Sequence, residues 1–334
     1  MSSSAAPPRR PIEPSLGAES PLARAVLVER WRKGAASDEH DLVAHEAPLE
    51  ITIDGKRLAV VMRTPGHDLD LVLGLLFTEG IVRDRRDVAA MGHCRVAPPR
   101  APDEASDNVV VVKLRRGLSF QPARFRRNLI ASSSCGVCGK ATIDALARRT
   151  AVVESDLRVE PRLLLELPKL LRGAQEGFHA TGGLHAAALF ALREGRPRLL
   201  VLREDVGRHN AVDKVIGAAL RHGLVPLSRT ILQVSGRAGF EIVQKARVAG
   251  IPILAAVSAP SSLAIELARA GGQTLVAFVR DERLNVYSAP ERLARSATPA
   301  APAAAGRAAP AKSARPPDGA RRRRSDRRGR RGAA

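Results

Sequence analysis

Over its second half this chain repeats one grammar three times: a short apolar strand, a loop carrying glycine and charge, then a helix. Apolar runs at 199–205, 230–236 and 251–258 are followed by helical apolar spacing at 211–221, 240–249 and 262–270. Short strands bounded by Gly, Ser and Asp, alternating with helices, build a sheet with helices packed on its faces. The chain is therefore expected to form an α/β sandwich with a mostly parallel sheet, finished by strands at 274–280 and 283–287. In such folds the loops leaving the C-terminal strand ends make the working edge. Upstream, a helix at 162–172 leads into HATGGLHAAALFAL (179–192), a loop running into a strand.

The first half reads differently. LEITIDGKRLAVVM (49–62) alternates apolar and polar residues around Asp54-Gly55, a strong hairpin signal. Leu69, Val72, Leu73, Leu76 and Phe77 recur at helical spacing over 68–79, and VVVVKL (109–114) reads as a buried strand. A cysteine-bearing loop and a helix at 140–149 follow. The expected division is a disordered N-terminus (1–24), an N-terminal α/β domain (25–160), a second α/β domain (161–294) and a disordered basic tail (295–334). Two domains suit 334 residues, at roughly 150 residues each. Aromatics are only 3%, so the cores must be built from Leu, Val, Ile and Ala.

The net charge of +20 suggests nucleic acid until it is located. Residues 295–334 hold twelve Arg or Lys against two Asp, which is +10 of that total. The tail is rich in Ala, Pro and Gly and reads as a solvated, non-specific polyanion binder, not a specific nucleic-acid reader. No run approaches the roughly 18 apolar residues of a membrane span. The Pro- and Ser-rich N-terminus has no apolar core of a secretory signal, so a cytoplasmic protein is expected.

Three cysteines in 334 residues make no disulfide framework. Cys94 is expected to be a buried small apolar residue. Cys135 and Cys138 stand as C-x-x-C in SSSCGVCGK (132–140), just ahead of the helix at 140–149. A thiol at that place feels the positive helix end and unpaired N–H groups, and Lys140 adds a cation; all favour the thiolate. Gly136 and Gly139 let the loop turn tightly around an exposed sulfur. A deaminase-type zinc centre needs His-x-Glu and Pro-Cys-x-x-Cys, whereas the chain has no His-x-Glu and Ser134 precedes Cys135. A structural zinc site needs four ligands, and only His93 and Cys94 could complete one. A dithiol–disulfide couple and persulfide carriage both stay open on these residues alone.

A second constellation sits at the expected strand ends. His179 and His185 flank Gly182-Gly183. Asp205, Gly207, Arg208, His209 and Asn210 leave one strand and enter a helix, with Asn210 expected as its N-cap. Ser235-Gly236-Arg237-Ala238-Gly239 repeats the arrangement at the next strand. A small residue and an Arg at a helix N-terminus suit a phosphate, since N–H groups and guanidinium converge there. Two such loops beside a His-Gly segment point to a pocket for a polyphosphorylated ligand. The competing reading makes Asp205 with Arg208, and Arg237 with Glu241, ordinary ion pairs, and the histidines hydrogen-bonded core residues.

Taken in order, AHEAPLEITIDG, SSSCGVCGK, HATGGLHAA, REDVGRHNAVDKVIG, SGRAGFEIVQKA and FVRDERLNVYS resemble the FdhD family of formate dehydrogenase accessory sulfurtransferases, over residues 42–292. The resemblance implies a cytidine-deaminase-like α/β sandwich without its zinc site, joined to a smaller N-terminal α/β domain carrying the C-x-x-C loop. It implies a sulfurtransferase that takes sulfur from a cysteine desulfurase as a persulfide. The sulfur passes to the molybdenum or tungsten bis-pterin guanine dinucleotide cofactor (Mo-bis(molybdopterin guanine dinucleotide)) destined for the formate dehydrogenase catalytic subunit. Cys135 would carry the persulfide with Cys138 as its partner. Phe278, Val279, Arg280, Asp281, Glu282 and Arg283 match the family's cofactor-binding segment. Arg208, Arg237, His185 and His209 would complete the pocket, with Asp205 accepting from the guanine edge. A homodimer follows by family analogy. The runner-up readings are a dithiol oxidoreductase and a non-catalytic chaperone of cofactor or apo-enzyme.

Overall fold

The computed structural model describes residues 21–94, 108–122 and 152–294. Residues 1–20 and 295–334, and the helix at 140–149, lie outside the described residues, whereas residues 21–24 of the N-terminus expected to be disordered (1–24) form a turn and the start of a strand. Strands β3 (Ala47–Ile53) and β4 (Lys56–Arg63) form the expected hairpin, turning at Asp54 (φ 48) and Gly55 (φ 75). Left-handed dihedrals at both positions match the right-handed twist of the flanking strands, which is why Asp-Gly serves there. With β5 (Val88–His93) and β6 (Val109–Leu114) they make a four-stranded sheet, ordered β4-β3-β6-β5. Helix α1 (Asp68–Thr78) follows β4, as its apolar spacing predicts.

The second half forms a six-stranded sheet ordered β12-β11-β10-β9-β7-β8. Its strands are β7 (His185–Arg193), β8 (Arg196–Asp205), β9 (Thr230–Val234), β10 (Ile253–Ala256), β11 (Thr274–Arg280) and β12 (Arg283–Ser288). Helices α2 (Pro161–Gly173), α3 (Glu176–Thr181), α4 (Arg208–Arg221), α5 (Phe240–Val248) and α6 (Ser262–Ala270) accompany them. The sheet is less parallel than expected. Only the β9–β10 and β10–β11 pairs are parallel, while β7 is antiparallel to both β8 and β9, and β12 to β11. The reason is connection length: Glu194-Gly195, at φ 52 and 72, and Asp281-Glu282 are two-residue turns. A parallel crossover needs a dozen residues or more.

Residues of both sheets enter one apolar core, where Leu49, Ile51, Val110 and Val112 pack with α1, α4 and the Leu232 and Val234 face of β9. The opposite face of the six-stranded sheet carries Phe190, Ile231 and Ile253 against Leu164, Leu167 and Leu171 of α2. Strand alternation assigns Ile231 to one core and Leu232 to the other. Helices α1 and α4 cross at glycine. A Cβ on Gly217 would lie 1.8 Å from the Asp70 carbonyl oxygen, and one on Gly74 would lie 1.9 Å from that of Asp213. The backbones touch, so neither position admits a side chain.

A hairpin of β1 (Ala23–Arg32) and β2 (Ala35–Ala44) was not foreseen. Its outward face carries Leu27 and Trp31, 66% and 65% exposed, so no buried stripe marks it in the sequence.

Candidate functional site

The sheet direction gathers the site. Strands β8, β9, β10 and β11 end at one edge of the six-stranded sheet, and the antiparallel β7 and β12 begin there. That edge therefore presents His185, the turn from Asp205 into α4, Ser235-Gly236-Arg237, Ser258 and the turn from Phe278 to Arg283. All but Ser258 are segments that the sequence pattern or the family resemblance assigns to a phosphorylated ligand.

Helix α4 starts at Arg208 with Gly207 as its N-cap, three residues before the expected start. Asn210 is thus not the cap. It stands in the first turn, where its side-chain amide donates to Asp205 Oδ1 (2.9 Å) and to the Met62 carbonyl (2.8 Å). Among the described residues, neither α4 nor α5, capped by Gly207 and Gly239, has a side-chain acceptor on its first-turn amides. Two helix N-termini with unclaimed N–H groups and positive dipole ends face the same edge.

Asp205 does not fit the expected role of guanine acceptor. It is fully buried, and both oxygens are occupied: Oδ2 by the Thr64 amide (3.1 Å) and Lys214 Nζ (2.7 Å), Oδ1 by Gly207 N (2.8 Å) and Asn210. With four donors in place the carboxylate holds the turn, and no lone pair faces solvent. Lys214 is equally buried and also donates to the carbonyls of Thr64 (2.7 Å) and Glu204 (3.3 Å). Thr64 Oγ1 accepts from Val206 N (3.1 Å), so the turn between β4 and α1 is stitched to the end of β8. Val279 is also corrected. It is fully buried in the α2-side core, so its side chain meets no ligand.

His185 opens β7 and stands against Gly236, whose notional Cβ would be 3.4 Å from the ring Nδ1. Burial, then the charges of Arg208, His209 and Arg237, hold its imidazole below the usual histidine value, against a weaker opposing pull from Asp205. The ring is neutral at pH 7 inside a cationic ring of neighbours. Arg208 Nε is buried without a hydrogen-bond partner, and Arg237 is exposed without an ion-pair partner among the described residues. Neither competing ion pair forms: Asp205 takes Lys214, and Glu241 takes His209 Nε2 at 2.9 Å. That contact, more than any other, holds the Glu241 carboxyl below its ordinary range. A field of guanidinium and imidazole groups with its nearest carboxylates already engaged is suited to an anion.

The turn after β11 adds Arg280 and Arg283, both exposed, with Asp281 and Glu282 between them. Phe278 adopts φ 54 at a bulge, with its amide on Ser258 O at 3.3 Å. A bulky residue in the left-handed region is strained backbone of the kind that collects at functional turns. His179 is not brought to the edge's charge cluster; it sits on α3 with Nε2 2.7 Å from the Arg172 carbonyl. Cys94 is half-buried, not buried as expected, with its amide on Val109 O at 2.9 Å. Cys135 and Cys138 lie outside the described residues.

Sequence reading missed Thr64 and Lys214, and named Glu204 only as part of the REDVGRHNAVDKVIG segment. Glu204 accepts from the amides of Gly177 and Phe178, both at 2.8 Å, and so anchors α3 to β8. The available signal was a Lys on the apolar face of α4, which must find a buried anion.

Fold and edge together define a mixed α/β protein whose six-stranded sheet carries a cationic edge and is stitched to a second, smaller sheet. The profile of the FdhD/NarQ family matches residues 44–294, and the chain belongs to that family. It is 50% identical over 270 residues to the sulfur carrier protein FdhD of Streptomyces avermitilis, covering 80% of this chain and 94% of that one. Against the protein of the same name from Anaeromyxobacter sp. it is 51% identical over 262 residues, covering 76% and 88%. A crystal structure of a protein assigned as a formate dehydrogenase accessory protein, from Desulfotalea psychrophila, superposes with a TM-score of 0.62 at 25% identity, covering 82% of this chain and all of the other. Among the described residues no helix is long and apolar enough to cross a membrane.

Proposed function

We propose that the chain is a sulfur carrier that accepts sulfur on Cys135 as a persulfide and delivers it to a guanine-dinucleotide-bearing molybdenum or tungsten cofactor for formate dehydrogenase. The observation that carries this reading is a cationic edge, unpaired at Arg208 Nε and capped by two open helix ends, in a chain about half identical to proteins named as sulfur carriers. Arg208, Arg237, Arg280 and Arg283 suit the phosphates, and neutral His185 supplies a ring donor beside Gly236. Thiolate chemistry supplies the loading step. Cys135 sulfur attacks the outer sulfur of a cysteine desulfurase persulfide, the S–S bond there breaks, and the desulfurase thiolate leaves. Cys138, three residues on in the sequence, is the partner to the loaded sulfur. We read the six-stranded sheet with its helices as the deaminase-like unit of the family, here serving as a cofactor-binding platform.

Mass spectrometry after incubation with a desulfurase and cysteine tests the reading. A gain of one sulfur mass, absent in Cys135→Ala, is expected. A loss of two hydrogens without sulfur gain would instead make the pair a dithiol couple, and no change would leave a binding protein only.

A further inference from the structure

Among the described residues, strand β8 is the last strand of its sheet and pairs only with β7. Along its free side runs an open groove of about 450 Å³, lined by five consecutive residues, 199–203, and by His222 and Leu224 beyond α4. Successive strand side chains point to opposite faces. A groove touching all five therefore follows the backbone edge. Leu200 is a bulge residue in the pairing with β7, and a bulged residue is left out of the ladder. Leu199 and Leu224, 36% and 41% exposed, give the groove apolar contacts.

Its charge is one-sided. Arg196 and Arg198 are exposed and have no carboxylate partner among the described residues. Arg203 and Arg221 share a single carboxylate, Asp70, at 2.9 and 2.7 Å. Of the acidic residues flanking the strand, Glu194 sits in the β7–β8 turn and Glu204 is buried on the α3 amides. Proteins blunt sheet edges with charge and proline. Pro197 and Arg196 do so at the turn end, but 199–202, all apolar, carries no such guard.

We propose that the β8 edge docks an extended acidic segment of a partner protein by strand addition. The partner's main chain pairs with β8, alternate side chains enter the Leu199 and Leu224 contacts, and its carboxylates meet Arg196, Arg198 and Arg203. The bound strand would lie on the element that delivers Asp205 and Arg208 to the sheet edge. The inference does not depend on persulfide chemistry.

A fluorescein-labelled peptide alternating valine and glutamate is titrated into the full chain, with fluorescence anisotropy and amide hydrogen exchange as readouts. Binding that weakens with salt, protection of the amides of 199–203, and a loss of about tenfold or more in Leu224→Glu are expected, since like charges in contact are strongly disfavoured. Arg198→Glu, at an exposed position, should weaken binding similarly without touching packing. Guanosine diphosphate affinity should be unchanged in both variants, which separates this surface from the sheet-edge pocket. Absence of binding at about 1 mM peptide, equivalent to only about 4 kcal/mol, overturns the proposal. So does protection confined to the Arg208 and Arg237 loops. Protection of 199–203 that grows with protein concentration in the absence of peptide would assign the edge to a second copy of the chain instead.

Discussion

Lys214→Met removes a cation from the most enclosed part of the molecule. Lys214 and Asp205 are both fully buried, with Nζ 2.7 Å from Oδ2. Methionine keeps much of the stem volume, so the electrostatic loss dominates over packing. Removing one partner of a buried pair costs about 3–5 kcal/mol, because the other charge stays behind. Asp205 retains donors from Thr64, Gly207 and Asn210, which places the loss near the lower end, about 3 kcal/mol. The loss should depend on pH. In the wild type, burial outweighs the pull of Asp205 and holds the Lys214 pKa below the ordinary lysine value. The unfolded chain then binds that proton more tightly, so wild-type stability rises with pH from the lowered value up to the ordinary one. The variant lacks this rise. Urea denaturation followed by far-ultraviolet circular dichroism, at acidic, neutral and alkaline pH, measures both effects. Adding Asp205→Asn should recover about half of the loss, since the two sites are coupled. A loss under about 1 kcal/mol at neutral pH, or one that does not grow towards alkaline pH, would refute the desolvated pair.

Gly217→Ala should destabilise by about 3 kcal/mol or more, beyond ordinary overpacking, because the obstacle is the Asp70 backbone carbonyl at 1.8 Å and cannot rotate away; thermal unfolding reads it directly. His185→Ala should flatten the pH dependence of guanosine diphosphate binding. An anion raises the depressed imidazole pKa, so wild-type affinity climbs as pH falls through the complexed value and levels off below the free one; identical slopes by calorimetry would remove His185 from the pocket. Arg237→Glu should weaken the same nucleotide by about tenfold or more through like-charge contact, and unchanged affinity would exclude it. Cys135→Ala should abolish formate dehydrogenase maturation while leaving the fold and the nucleotide affinity intact.

Local rules accounted for what is local. The Asp54-Gly55 turn, the α1 spacing and the strand–loop–helix units of the second half each depend on near neighbours, and each formed within a few residues of its expected bounds. The clustering of Arg208, Arg237 and the 278–283 turn at one edge was also legible, because parallel strand ends must gather their loops. What the residues determined alone was therefore the α/β class and the candidate anion-binding loops. The tertiary structure decided which of those side chains are free to act. Asp205 looked like a ligand contact by its place in a loop. Only folding brings Lys214 from the second turn of α4, and the Thr64 amide from the other half of the chain, to fill its lone pairs. Val279 was withdrawn from the site by strand parity against α2, and Arg208 Nε was left unpaired because its nearest carboxylates found other cations. Burial and partner choice are long-range quantities, set by which surfaces meet, and a linear motif carries no term for them.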